Sequence, residues 1–211
     1  VHGVAARVFD HQMLKDMARH ATIPVINALS DNAHPCQALA DAMTLMDEFG
    51  RDLTGRTLAF IGDGNNVARS LATLCGKLGM RFVLASPPGY ELERSLVERI
   101  MGQVPAAVSE MTSDVREAVR YADCLYTDTW VSMGQEDEAA KRKAAFAGYQ
   151  INAELLSKAP SHAVVLHCLP AYRGLEISDE AMEGPRSRVF PQAGNRLHAQ
   201  KGLLAVLLGD R

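Results

Sequence analysis

The sequence predicts an α/β protein with a doubly wound parallel sheet. Short apolar or β-branched runs alternate with amphipathic stretches along the chain, which is typical of parallel strands joined by helices. Polar clusters follow four of these runs directly, at 62–66, 86–89, 128–134 and 167–170. Since ligands of doubly wound sheets bind beyond the carboxyl ends of the strands, we expect a ligand site at that edge.

Length and composition fit a globular protein and argue against several classes. The chain has 211 residues, enough for one large or two small domains, with 47% hydrophobic residues and a net charge of −3. The mild acidity argues against general nucleic-acid or membrane-surface binding, and no apolar run reaches the roughly 20 residues that cross a bilayer. The four cysteines form no CxxC pair, so we expect no zinc site, no disulfides and a cytoplasmic location.

The first fifty residues are predicted to form two strands and two helices. The stretch 4–9 is expected to be a buried strand interrupted by Arg7, a charge that needs an ion-pair partner or an anionic ligand there. A helix over 11–21 and a strand over 23–29 follow. The second helix begins at Pro35, whose fixed φ suits a first helical turn, and continues to Phe49.

The start of this second helix is a candidate anion site. Unpaired backbone N–H groups and the positive end of the helix dipole are expected there, next to His34 and Gln37. A phosphate or a polarised carbonyl would suit such a position. The alternative is that both side chains only cap the helix, and this stretch alone does not decide between the two.

From residue 57 onward the pattern predicts a Rossmann-like sheet, after a glycine-bounded domain boundary at 50–55. Strands are expected at 57–61, 81–85, 124–127 and 163–167, with a strand or a loop from Val108. Helices are expected at 67–78, 92–101, 114–122, 136–146, 151–158 and 200–208. We interpret the charged run 136–143 of the helix 136–146 as a solvated face.

Gly62-Asp-Gly-Asn-Asn66 follows a strand, as the glycine-rich loop of a dinucleotide-binding fold does. Position 67 is valine where that fingerprint has its third glycine, and Ser86-Pro-Pro88 stands where its ribose-binding acid is expected. A nicotinamide-dependent dehydrogenase is therefore disfavoured. The asparagine amides could instead bind a carboxylate or an amino group of a ligand, or Asn66 could simply cap the next helix.

Three further segments hold candidate site residues. Asp128-Thr-Trp-Val-Ser-Met-Gly134 combines an acid that can pair with an ammonium group and a glycine that would let the loop close, although its Trp and Met also suit packing. His167-Cys168 places imidazole and thiol on opposite faces of a strand, which argues against a Cys–His nucleophile pair and favours a small buried thiol. Arg196 is expected to precede the last helix.

Four motifs therefore occur in order, namely His34-Pro-Cys-Gln37, Asp128-Thr-Trp-Val-Ser-Met-Gly134, His167-Cys-Leu-Pro170 and Val189-Phe-Pro-Gln-Ala-Gly-Asn-Arg196. Together they closely resemble the ornithine carbamoyltransferases, essentially along the whole chain. The resemblance implies transfer of a carbamoyl group from carbamoyl phosphate to the δ-amino group of L-ornithine, giving L-citrulline and phosphate, as in arginine biosynthesis or the urea cycle. It implies no metal, no organic cofactor, no nucleic-acid or membrane partner, and a homotrimeric full-length enzyme.

The resemblance also implies roles for individual residues. The positions that match the carbamoyl phosphate site are Arg7, His34, Gln37, Cys168, Leu169 and Arg196, and those that match the ornithine site are Asn66, Asp128, Ser132 and Met133. Within these sets, Arg7 and His34 would donate to the carbonyl oxygen or the phosphate, and Gln37 would hold the carbamoyl amide. Catalytic roles fall to Arg7, His34, Asp128 and Cys168, the last two helping the δ-ammonium lose its proton.

One family feature does not occur in this sequence. The family carries an N-terminal Ser-Thr-Arg-Thr-Arg motif that wraps the phosphate, and we expect the chain to lack the N-terminal third of the enzyme. Residues 1–50 would be part of the carbamoyl-phosphate domain, joined by a C-terminal helix 197–211, and residues 53–191 would be the ornithine domain. The chain alone is expected to be impaired or inactive, since the main phosphate seat is missing and a sheet edge is uncovered.

Two other functions stay open at this point. The chain could be an inactive module that binds an amino acid, or a carbamoyltransferase for a related amine. By resemblance, the Ser-Met-Gly segment favours ornithine over aspartate or putrescine.

Overall fold

The computed structural model describes residues 1–103, 108–132 and 134–209. Its strands are β1 Val4–Arg7, β2 Val25–Leu29, β3 Thr57–Ile61, β4 Arg81–Ala85, β5 Val108–Thr112, β6 Cys124–Thr127 and β7 Val164–His167. Its helices are α1 His11–His20, α2 Pro35–Phe49, α3 Asn66–Lys77, α4 Arg94–Gln103, α5 Val115–Val119, α6 Ala139–Ala145, α7 Ala153–Leu156, α8 Asp179–Glu183 and α9 Val189–Leu208. A short 3-10 turn, Glu136–Glu138, precedes α6.

The larger sheet has five parallel strands in the order β5-β4-β3-β6-β7. Its central strand β3 is buried along its whole length, because helices cover both faces of a doubly wound sheet. Phe60 and Ile61 belong to separate buried clusters, one on each face. The predicted fold class is confirmed, and the four polar clusters follow β3, β4, β6 and β7 at one edge of this sheet.

The smaller sheet pairs β1 only with β2. Within the described ranges, β1 thus has one neighbour, and its residues alternate between half-buried and exposed. The prediction of a buried first strand is therefore wrong. Arg7 is exposed and forms no salt bridge with another described residue, so the ion-pair alternative is not realised here.

Helix α9 packs lengthwise against α2 and connects the end of the large sheet to the first fifty residues. Arg188 donates to both carboxylate oxygens of Glu48, at 2.6 and 2.9 Å, and Asn195 donates to Asp47 at 2.9 Å. The helix begins eleven residues earlier than predicted, at Val189 instead of 200. Arg196 therefore lies inside the last helix and not before it. Pro191 does not interrupt this helix, because it lies in the first turn, where its missing N–H costs nothing.

Two smaller elements also differ from the prediction. Helix α8 was not predicted, although Ser178 caps it by accepting from the Ala181 N–H at 3.2 Å. The predicted helix over 151–158 shortens to α7, because Ile151 forms a bridge with Ile177 instead of joining the helix. Among the described residues, no helix has both the length and the apolar character to span a bilayer.

Candidate active site

A cavity of about 880 Å³ lies at the carboxyl edge of the five-stranded sheet, facing the start of α2. Eight of the ten predicted site residues line it, namely Arg7, His34, Asn66, Asp128, Ser132, Cys168, Leu169 and Arg196. Gln37 lies immediately behind, where its Oε1 accepts from Arg196 Nη1. Met133 falls outside the described residues. The chain thus brings together in one cavity side chains that are far apart in sequence.

The α2 end of the cavity consists of His34, Gln37 and Arg196. His34 occupies the position before the helix, yet its side chain makes no capping hydrogen bond. Its Nε2 lies 3.5 Å from Arg196 Nη1, and its backbone N–H donates to Ser70 Oγ at 2.8 Å. The capping alternative is therefore wrong for His34, whose imidazole is turned toward the arginine that crosses from α9.

The charge state of His34 follows from this environment. Burial, together with the positive charges of Arg196 and Arg7, lowers the pKa of the imidazole from 6.5 to about 4. The ring is thus neutral at physiological pH. The neutral ring can accept from Arg196 through Nε2 or, with its proton on Nε2, donate to a ligand oxygen, and in neither case does it add a second positive charge.

His34 is expected to titrate near pH 4 in an NMR titration of its imidazole C–H signals. The unfolded chain takes up this proton near pH 6.5 and the folded chain only near pH 4, so the folded state loses stability as the pH falls through that interval. His34→Asn should remove this part of the pH dependence. A midpoint close to 6.5 in the folded protein would contradict the assignment.

The opposite end, which we call the Asp128 end, consists of Asn65, Asp128 and Cys168. Asp128 is 9% exposed, and its Oδ2 accepts from Asn65 Nδ2 at 2.8 Å. Its Oδ1 accepts from the Cys168 thiol at 3.0 Å and from the Thr129 N–H at 2.8 Å. None of these partners is a cation, so the Asp128 carboxyl forms no ion pair with them and can receive a cationic group of a ligand in the cavity.

Cys168 and His167 do not pair, as predicted from their positions on a strand. Burial and the neighbouring Asp128 raise the pKa of the Cys168 thiol well above its ordinary value, so it is protonated and acts as a donor. The His167 ring points the other way, with Nε2 3.1 Å from Glu176 Oε1. Its Nδ1 accepts from the Leu169 N–H at 2.9 Å, which fixes the turn that follows the strand.

Asn65 and Asn66 make different contacts, and the capping position predicted for Asn66 belongs to Asn65. Asn65 caps α3 by accepting from the N–H groups of Val67 and Ala68, while its amide nitrogen holds Asp128. Asn66 instead donates to the Ser30 carbonyl at 2.7 Å, across the cavity from the large sheet. Asn66 Oδ1 also accepts from the Val67 N–H at 3.0 Å and so shares in the cap, although Asn65 is the residue in the capping position. Asn65 was missed, although an asparagine directly before a helix is a common cap.

The glycine pair 62 and 64 has a packing explanation. The Gly64 N–H donates to the Tyr90 carbonyl at 2.8 Å, and a Cβ at Gly64 would lie 2.6 Å from the backbone carbon of Glu91. Gly62 has φ +148°, a value that L side chains rarely adopt. Close backbone approach thus requires Gly64, and the backbone angle favours glycine at position 62, without reference to a nucleotide.

Arg142 holds the loop that follows Asp128 in place by hydrogen bonds. Arg142 Nη1 donates to Asp63 Oδ2 at 2.8 Å and to the Trp130 carbonyl at 3.0 Å. The Trp130 ring stacks on Phe146, with centroids 6.0 Å apart. The interpretation of this charged helix as a solvated face is wrong at Arg142, which is 6% exposed. Arg142 precedes the apolar Phe146 by four positions, and residues four apart share a helix face, so this spacing could have indicated that Arg142 faces the core.

Two further observations bear on what the cavity can hold. Gly134 has φ +86°, so the segment after Ser132 turns in a way that favours glycine. In the part of the chain that the structure describes, no group of three or more His, Cys, Asp or Glu side chains could hold a metal ion.

Comparison with known proteins places this geometry in a family. The family model for the aspartate/ornithine carbamoyltransferase Asp/Orn binding domain matches residues 54–207, and the one for the carbamoyl-P binding domain matches residues 1–47. An ornithine carbamoyltransferase of Gloeobacter violaceus is 52% identical over 214 residues, which are 100% of this chain and 68% of the relative. One of Methanoculleus marisnigri is 51% identical over 210 residues, which are 99% of this chain and 66% of the relative.

Solved structures give the same result. The ornithine carbamoyltransferase of Pyrococcus furiosus superposes with a TM-score of 0.93 at 44% identity, covering 100% of this chain and 68% of that chain. The enzyme of Gloeobacter violaceus gives 0.90 at 47% identity, covering 99% and 70%. The chain therefore spans about two thirds of the length of these relatives.

Proposed function

The chain belongs to the aspartate/ornithine carbamoyltransferase family, and we propose that it takes part in carbamoyl transfer from carbamoyl phosphate to the δ-amino group of L-ornithine. The observation that carries the proposal is that the two ends of the cavity suit ligand groups of opposite charge. Its α2 end offers Arg196 and a neutral His34, which suit a carbonyl oxygen and a phosphate. Its Asp128 end offers a carboxylate, which suits an ammonium group.

At the α2 end, the carbamoyl group would be held on three sides. Arg196, His34 and Arg7 donate to the carbonyl oxygen or the phosphate, and the oxyanion of the tetrahedral intermediate forms where these donors converge. The Gln37 oxygen accepts from the carbamoyl NH₂. The Cys168 and Leu169 carbonyls would accept the second N–H of the ligand, while the Leu169 N–H donates to His167 Nδ1.

At the Asp128 end, the amine must become neutral before it attacks. We assign this step to the Asp128–Cys168 pair, in which the carboxylate accepts the proton of the δ-ammonium and the thiol donates to the other side of Asp128. The nitrogen then bonds to the carbonyl carbon. The bond from that carbon to the phosphate oxygen breaks, the phosphate leaves with the electron pair, and it takes the second proton of the attacking nitrogen. Asn66, Ser132 and Met133 would complete the ornithine site.

Further expectations belong to the same proposal. We propose that residues 1–50 with 197–211, and residues 53–191, form the two substrate domains, which the packing of α9 on α2 supports. Citrulline as the product, a role in arginine biosynthesis or a urea-cycle type step, and a trimeric full-length enzyme follow from family membership. A cytoplasmic location is supported by the four unpaired thiols, which suit a reducing compartment.

The substrate class can be tested by calorimetric titration of the 211-residue chain with L-ornithine, L-aspartate and putrescine. We expect L-ornithine to bind at least about 10-fold more tightly than either, because putrescine has no carboxylate for the asparagine amides and L-aspartate has no side-chain ammonium group for Asp128. Tighter binding of aspartate or putrescine would favour a related amine substrate. Ornithine binding without any carbamoyl phosphate binding would favour the inactive module.

Citrulline formation gives an independent measurement. The 211-residue chain has no Ser-Thr-Arg-Thr-Arg segment, so we expect its turnover to lie more than about 1000-fold below that of the Gloeobacter violaceus enzyme assayed in parallel. Robust citrulline formation by the chain alone would refute this expectation and leave the assigned substrates intact.

A further inference from the structure

Behind the α2 end of the cavity lies a fully buried group of polar side chains, which we call the Asp41 cluster. It consists of Gln37, Asp41, Tyr126 and Gln192, each no more than 1% exposed. Asp41 Oδ1 accepts from Gln37 Nε2 at 2.8 Å and from Gln192 Nε2 at 2.6 Å, and Oδ2 accepts from the Tyr126 hydroxyl at 3.1 Å. The cluster joins α2, β6 and α9.

A carboxyl group at this position needs an explanation. Asp41 forms no salt bridge within the described ranges, and burial raises the pKa of its carboxyl to about 7 despite the three donors around it. Burying such a group is costly, and an apolar side chain of similar volume would often stabilise a core more. Stability alone therefore does not explain why an aspartate occupies position 41. Its hydrogen bond with Gln37 offers an explanation.

Gln37 lies between two partners, and each of them can bond to the Gln37 amide in only one orientation. Asp41 Oδ1 accepts the hydrogen bond from Gln37, so it requires the Gln37 NH₂ group. The Arg196 guanidinium only donates, so it requires the Gln37 oxygen. The amide is therefore fixed with its oxygen toward Arg196, a residue that lines the cavity.

We propose that Asp41 is a positioning residue that makes the cavity select a carbamoyl group over an acyl group of the same size. The inference rests on the proposed function, in which Gln37 contacts the carbamoyl amide. With its oxygen toward the cavity, Gln37 accepts from the ligand NH₂, which a methyl group cannot replace. If the Gln37 amide were flipped, its N–H would face the ligand N–H. Two donors cannot bond to each other, so the preference for a carbamoyl group would disappear.

The Asp41 cluster also reaches the other wall of the same pocket. Gln192, which donates to Asp41, accepts through Oε1 from the His167 N–H at 2.9 Å. That N–H lies at the end of the edge strand β7, directly before Cys168 and Leu169. One carboxylate thus holds Gln37 on one side and the start of the Cys168–Leu169 turn on the other.

The test compares two stable phosphonates that differ in one group. Phosphonoacetamide carries the amide NH₂ of carbamoyl phosphate, and acetonylphosphonate carries a methyl group in its place. Binding to the 211-residue chain is followed by broadening of the ³¹P signals. We expect the wild-type chain to prefer phosphonoacetamide by about 10-fold, the effect of one buried hydrogen bond made or left unmade.

Two variants then isolate Asp41. Asp41→Asn keeps an oxygen that can accept from Gln37, so it should retain the preference. Asp41→Leu has a similar shape and no acceptor, so its preference should fall to within about 2-fold of unity. Equal binding of both probes by the wild-type chain, or an unchanged preference in a folded Asp41→Leu, would overturn the inference.

A second readout needs no ligand and no Leu variant. The side-chain amide of Gln37, assigned by its loss in Gln37→Met, should exchange slowly with water, and its proton signal should move upfield in Asp41→Asn, where a neutral acceptor replaces the carboxylate. A signal that is identical in both proteins would overturn the positioning role. If the wild-type chain binds neither probe, the proposed carbamoyl phosphate site fails, while this measurement still decides the role of Asp41.

Discussion

Asparagine in place of Asp128 is expected to weaken L-ornithine binding by at least about 30-fold, because the loss of one partner of a shielded charge pair costs about 2 kcal/mol or more. The carboxylate is 9% exposed and has only neutral donors around it, namely Asn65, Cys168 and the Thr129 N–H. An amide of the same shape keeps the Asn65 contact through its oxygen but removes the negative charge. Its NH₂ group then faces the Thr129 N–H and the Cys168 thiol, which lose their acceptor. We therefore expect the free energy of unfolding to fall by about 1–3 kcal/mol as well, and binding is compared at a temperature where both proteins are folded.

Calorimetric titration of L-ornithine measures this effect, and Asp31→Asn is the matched control. Asp31 is another carboxylate that lines the cavity, but it is exposed and accepts from the His11 N–H at 3.1 Å, away from Cys168. We expect less than about 3-fold weaker binding in the control, since an exposed charge is screened by water. Equal losses in both variants would mean that ornithine responds to the total charge of the cavity and not to Asp128.

The large sheet could be predicted well from sequence because its strands are buried on both faces. Parallel strands of this kind appear as continuous apolar runs, and β3 occupies the predicted residues while β7 starts one residue later than expected. The site residues could be grouped for a related reason. Strands of one parallel sheet end at one edge, so polar residues that directly follow them, such as Asp128 and Cys168, meet even though they are far apart in the chain.

Side-chain partners between distant elements could not be predicted in this way. The contact between Asp41 and Gln192 spans 151 positions, and no local pattern marks either residue as buried. Arg196 illustrates the same limit, because its contact with Gln37 depends on how α9 packs on α2. Periodicity shows which face of a helix is apolar, but not which polar residue on that face will find a partner in another element.

Methionine in place of Arg142 is expected to lower the free energy of unfolding by about 3–5 kcal/mol, the usual effect of removing one partner of a buried ion pair. The side chains of Arg142 and Asp63 are 7% and 12% exposed, and their N–O distance is 2.8 Å. Burial already raises the pKa of the Asp63 carboxyl, an effect that Arg142 partly offsets. Urea unfolding followed by the fluorescence of Trp130, the single tryptophan, measures the change.

The pH dependence identifies the unpaired carboxyl as the cause. Without Arg142 the folded-state pKa of Asp63 rises further above its unfolded value, so the penalty is absent at low pH and grows as the pH rises through the folded-state pKa. The loss should therefore be larger at pH 8 than at pH 5, and Arg142→Met with Asp63→Asn should recover part of it. Arg116→Met is the control, because its pair with Glu154 is 68% and 69% exposed and should contribute less than about 1 kcal/mol. A loss that is the same at both pH values would assign the effect to the stacking of the Arg142 guanidinium on the Tyr90 ring and not to the unpaired Asp63 carboxylate.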